Sequence, residues 1–135
     1  MGVTLRQVTD ALEAILEDRV KGIDWTVSIM GATYPKKTTG YIICDGVSYE
    51  NFRKEEQIAK ATFGIQIICP NPKKEVHTEI VEDLAMQVRQ VLKEEYDLDG
   101  WVMDSSVNRV DFATAKGLPY IGVAIIEYEV KYEEA

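Results

Sequence analysis

Chemically specialised residues are scarce in this chain. Its 135 residues include one histidine, two cysteines and four prolines. The lone His77, beside Glu75 and Glu79, has no second imidazole or convergent thiol at metal-ligand spacing, so a surface or capping role is the simpler reading. There is no Gly-x-Gly-x-x-Gly, no Gly-Lys-Ser/Thr phosphate loop and no Gly-x-Ser-x-Gly elbow. Ser105-Ser106 follow Asp104 in what reads as a turn, where local hydrogen bonding accounts for them. The paired carboxylates Glu55-Glu56, Glu94-Glu95 and Glu133-Glu134 lie in charged runs or near the end, where solvation keeps a pair from splitting into acid and base. No enzyme activity, cofactor or metal is expected.

Long apolar runs are missing too. The cleanest, residues 121–126, includes Gly122 and is far too short to span a bilayer. The first residues lack the basic-then-apolar layout of a signal peptide. A cytoplasmic protein without a membrane partner is therefore expected. Cys44 and Cys69 each close an Ile-Ile-Cys run, a setting for small buried thiols. If residues 39–44 and 57–69 pair as a hairpin, Cys44 falls opposite about position 57, with Cys69 about 40 Å further along at about 3.3 Å per residue. That separation excludes a disulfide.

What is present is ordinary for one globular domain over residues 1–135, with 46% hydrophobic and 28% charged side chains. Charge is unevenly distributed. Residues 1–75 balance at 10 basic and 10 acidic, whereas residues 76–135 hold 5 basic and 13 acidic, so the whole formal charge of −8 lies there. An acidic surface repels phosphate backbones, so sequence-specific nucleic-acid binding is not expected.

The hydrophobic pattern predicts order α-β-β-β-α-β-β. Thr4 and Gln7 form a capping box ahead of a stripe through Leu5, Val8, Leu12, Ile15, Leu16 and Val20, predicting a helix over 4–20. Residues 25–29 and 40–44 read as strands, the second ended by the turn pair Asp45-Gly46. Residues 48–56 read as an extended hairpin tip. Alternation returns over 58–69 and Pro70-Asn71-Pro72 breaks it. A second helix over 76–96 carries the stripe Val76, Ile80, Leu84, Val88, Val91, Leu92 and Tyr96, widened by Val81 and Ala85, with Thr78 or Asn71 as cap. Strands follow near 101–103, extending through 107–112, and over 120–132.

Turn-linked strands and two one-striped helices predict an α+β fold, a mainly antiparallel sheet with both helices on one face. The last strand is apolar on both faces, with Tyr128, Val130 and Tyr132 on one of them, and an open face so furnished wants a partner. Basic pairs occur at Lys36-Lys37, Arg53-Lys54 and Lys73-Lys74, each in an expected turn. The candidate subunit-interface residues are Lys36, Lys37, Arg53, Lys54, Tyr128, Val130 and Tyr132, the four cations meeting an acidic neighbour.

This order resembles the tail terminator (tail completion) proteins of long-tailed phages and phage-derived contractile particles. The resemblance runs over nearly the whole chain: an opening helix from Leu5, Ala61-Thr62-Phe63-Gly64-Ile65-Gln66-Ile67-Ile68, Ile80-Val81-Glu82-Asp83-Leu84-Ala85, Trp101-Val102-Met103 and a terminal strand over 122–132. It implies a structural ring, usually of six subunits, that caps the tail tube, fixes tail length and meets sheath or head-connector proteins. Such a protein assembles in the host cytoplasm and ends in the particle. Head–tail connector proteins share part of the pattern. A small α+β ligand-binding or regulatory module, monomeric or dimeric, is the alternative reading.

Overall fold

The computed structural model describes residues 2–53, 56–71, 73 and 78–135. Seven elements follow one another: α1 (Leu5–Arg19), β1 (Asp24–Thr26), β2 (Thr39–Arg53), β3 (Glu56–Pro70), α2 (Glu79–Glu94), β4 (Asp104–Ala115) and β5 (Leu118–Glu133). The strands form one sheet in the order β1-β2-β3-β5-β4. All neighbours are antiparallel except β1 and β2. The fold is α+β, as the patterning predicts.

Helix α1 starts where its chemistry requires. Thr4 Oγ1 accepts from the Gln7 amide at 3.2 Å, and the Thr4 amide donates back to Gln7 Oε1 at 2.9 Å. Two of the unpaired donors of a helix start are thereby satisfied. In α2, Thr78 occupies the cap position without a side-chain cap bond. Asn71 is no helix cap: its Oδ1 accepts from the Lys73 amide. Val76, where the sequence pattern starts this helix, lies outside the described residues, as do His77 and Lys74.

Both helices cover the same face. Val8, Leu12 and Leu16 of α1 and Val81, Ala85, Val88 and Leu92 of α2 share one core with alternate residues of β3 and β5. The face of α2 that faces inward runs through 81, 85, 88 and 92, while Ile80 is 51% exposed. The stripe is turned toward Val81 and Ala85, so that Ile80 and Tyr96 of the expected stripe fall on its exposed margins.

Other elements differ from expectation for local reasons. Asp45-Gly46 does not turn the chain: β2 runs on to Arg53, with a bulge between Cys44 and Gly46. A turn-forming pair has been absorbed as one extra residue in a longer ladder. Cys44 therefore faces Phe63 rather than position 57. Cys69 is still about 20 Å away at about 3.3 Å per residue, and both cysteines are free. Ser105 and Ser106 lie within β4, not in a turn. Residues 101–103 are outside any strand, and the first strand is only three residues long.

One sharp reversal and one close approach are explained by packing. After α2, Leu98, Asp99 and Gly100 all take positive φ. A left-handed leucine costs about 1–2 kcal/mol, which its complete burial, worth about 1.5–3 kcal/mol, offsets. At Gly40 a side chain is excluded: an added Cβ would lie 2.4 Å from the Trp25 ring. That ring covers Gly40 across the β1–β2 pair, and its Nε1 donates to Val20 O at 3.4 Å.

Val88→Asp should lower unfolding free energy by about 3 kcal/mol or more, because it leaves an unpaired charge in the core. Ile80→Asp, on the exposed face, should change it by about 0.5 kcal/mol or less. Urea melts of the two variants check the rotated stripe. Thr4→Ala should cost about 1 kcal/mol in the same assay.

Candidate subunit interface

Side chains alternate across the sheet, so strand register sorts β5 into two sets. Ala124, Ile126, Tyr128, Val130 and Tyr132 point beneath the helices and are buried. Phe63 lies directly opposite Tyr128, their ring centroids 6.5 Å apart. Tyr128, Val130 and Tyr132 are thus core residues of one subunit and present no surface to another. Apolarity on that strand reflects the weight of the two helices above it.

The opposite face of β5 changes character along its length. Near its start, Ile121 and Val123 join Tyr41, Ile68 and Ala115 in a second, smaller core, with Met30 and Tyr34 packed against it. The connection carrying Pro35-Lys36-Lys37 thereby covers part of the face that the sequence leaves open. Ile125, next along, is 45% exposed. Beyond it the face is charged. Lys60 and Lys131 stand opposite each other, an unfavourable like-charge pair relieved by Lys60–Glu129 at 3.3 Å and Lys131–Glu50 at 3.6 Å.

The structure does not bring Lys36 and Lys37 together with Arg53. Lys36 and Lys37 are exposed and precede β2, whereas Arg53 is its last residue. They are separated by the strand's length, about 45 Å at about 3.3 Å per residue. Lys54 lies outside the described residues. The Lys36 loop borders a groove of about 620 Å³ that Pro70, Leu118 and Tyr120 also line.

Sequence reading missed the flanks of the sheet. Between α1 and β2 runs a groove of about 520 Å³ bordered by Asp10, Glu13, Val27 and Cys44. Burial, then Glu17 and Asp10, push the Glu13 carboxyl up from its ordinary value. The Cys44 thiol is also pushed up, chiefly by burial, which makes it a poor nucleophile. Between α2 and β4 a groove of about 320 Å³ is bordered by Arg89, Lys93, Tyr96 and Ser105. Spacing of four residues puts Arg89 and Lys93 on one side of α2, a signal present in the sequence but lost within its acidic half. Among the described residues, no three His, Cys, Asp or Glu side chains gather as a metal group, and no helix is long and apolar enough to cross a membrane.

In the core beneath the helices, the Tyr128 hydroxyl is buried without a hydrogen bond of good geometry. The nearby Ser105 hydroxyl donates to Tyr96 O at 2.6 Å. Burial pushes the Tyr128 phenol up to about 12, with Ser105 opposing the shift.

No family model matches this chain, and no curated protein matches it. Among solved structures it is similar to a chain from the virion of a native gene transfer agent (GTA) particle. The TM-score is 0.48 at 11% identity, over 90% of this chain and 84% of that one. At that score the likeness carries no argument about function.

The unfolded chain ionises this tyrosine near pH 10 and the folded chain near 12. In that window the folded state holds the extra proton, so stability is full below pH 10 and falls as pH rises to 12. The loss should reach about 2–3 kcal/mol, at 1.36 kcal/mol per unit. Tyr128→Phe removes the unpaired hydroxyl and should match the parent at neutral pH or exceed it by up to about 1 kcal/mol. Its alkaline loss should be smaller in urea melts at pH 9 and 11.5.

Proposed function

We propose that the protein is a structural ring subunit that caps the end of a phage or phage-like tail tube and stops its growth. The supporting observation is the arrangement of the molecule: both helices on one face of a sheet whose two lateral flanks differ in charge and shape. A closed ring of identical subunits needs one patch to meet a different one, and unlike flanks at opposite sides of one sheet provide that pair. The element order along nearly the whole chain resembles tail terminators, which form such rings, usually of six. On this reading its partners are copies of itself, the tail tube, and sheath or head-connector proteins. Its role is mechanical rather than catalytic, performed in the host cytoplasm and then in the particle.

The Lys36-Lys37 loop is exposed at one end of the sheet and available to a neighbour. Among the described residues neither lysine forms an ion pair.

Deleting the gene should leave tails of irregular, extended length, measured by electron microscopy of particles from the deletion strain. Uniform tails of parental length would refute the ring reading and favour a ligand-binding or regulatory module.

A further inference from the structure

The two flanks of the sheet are opposite in charge. On one, α1 presents Asp10 and Glu13 above a groove whose outer lip carries exposed Val27. Ile29, two residues on, is 71% exposed. Arg6 also borders this groove, but Glu17 follows one turn beyond Glu13, so the flank stays acidic. On the other, α2 presents Arg89 and Lys93, with exposed Tyr96 beside them. Leu92 and Val107 form that groove's apolar floor.

Among the described residues, the charges of the two flanks are not taken up in the subunit's own ion pairs. Arg19, Lys60, Arg109 and Lys131 are each paired internally. Asp10, Glu13, Arg89 and Lys93 form no ion pair among the described residues. Glu17 and Asp10 crowd Glu13 with like charge, and among the described residues no ion pair offsets that repulsion. The flanks are also placed for a head-to-tail contact. β1 and β2 bound the sheet on one side and β4 bounds it on the other. One flank is therefore presented away from the other, and the same contact can repeat from copy to copy.

We propose that the Asp10/Glu13 flank of one copy seats against the Arg89/Lys93 flank of the next, with Val27 and Ile29 packing on Tyr96. The occupant of each flank is a second copy of this chain. Resting on the ring reading, the proposal names the surfaces that close it. It also reverses the simple expectation from halves: the acidic half contributes the cations of the contact, and the balanced half contributes the carboxylates.

The test is charge exchange in the deletion strain. Arg89→Glu with Lys93→Glu should reduce particle-bound protein by at least about tenfold, because like charges then face each other. Asp10→Lys with Glu13→Lys should do the same. All four substitutions together should restore binding and tail length, since opposite charges again meet. Full function of either half-exchanged protein would overturn the proposal. A cross-link provides the second measurement. With Cys44→Ser as background, Glu13→Cys and Lys93→Cys in one chain should give a ladder of disulfide-linked multimers from assembled particles, and monomer alone would overturn the assignment. Wild-type complementation separates the two levels. If the wild-type gene restores uniform tails while the exchanges have no effect, only the flank assignment fails. If deletion itself leaves tails uniform, the ring reading fails and takes this proposal with it.

Discussion

The pairing of β3 with β5 is the constraint on which the rest of the molecule depends. Ala59, Ala61, Phe63, Ile65 and Ile67 stand directly opposite Tyr132, Val130, Tyr128, Ile126 and Ala124, and all ten are buried. Small residues face large ones at Ala59–Tyr132 and Ile67–Ala124, which lets side chains of unequal size share one surface. A slip by one residue would drive Lys60, Thr62 and Gln66 under the helices, which fixes the register strongly. With that apolar face set, α1 and α2 have only one side to cover. Their widths leave a groove at each flank, against β2 and against β4.

Much of this was legible because the strongest periodicities are local. The capping box at Thr4 and Gln7, the α1 stripe and the alternation of residues 58–69 each specify their own element. The apolar residues of β5 were legible as apolar, but not which neighbour would cover them. Tyr128 and Tyr132 under a helix and the same residues at an open face share one sequence pattern, and only the tertiary arrangement separates them. Asp45-Gly46 shows a related limit. The pair favours a turn on its own, yet thirteen registered partners between β2 and β3 outweigh that preference and turn it into a bulge. The flank grooves were hidden for a third reason. Each needs a helix and an edge strand distant in sequence, so neither Glu13 with Cys44 nor Lys93 with Ser105 could be associated beforehand.

The chain order also gives charge a spatial meaning. β1, β2 and β3 fill one side of the sheet and β5 and β4 the other, so the two halves of the sequence meet along the β3–β5 seam. The net charge of −8 belongs to one side, but local contacts do not follow net charge. At contact range the arrangement of individual side chains decides, and unpaired cations on an acidic side have greater leverage than their number suggests, because screening removes the more distant charges.

The bulge at Asp45 has a consequence for solubility. β1 pairs only with residues 39–41, so the outer edge of β2 runs on from Ile42 without a strand beside it. A long, regular edge of this kind is a template on which identical chains stack into fibres. Here the ladder is interrupted, and an acidic side chain sits at the interruption, its carboxylate reaching over bare Gly64. Irregular backbone and a fixed negative charge make this edge a poor template. Pairing of identical chains by sheet extension along this edge is thereby discouraged.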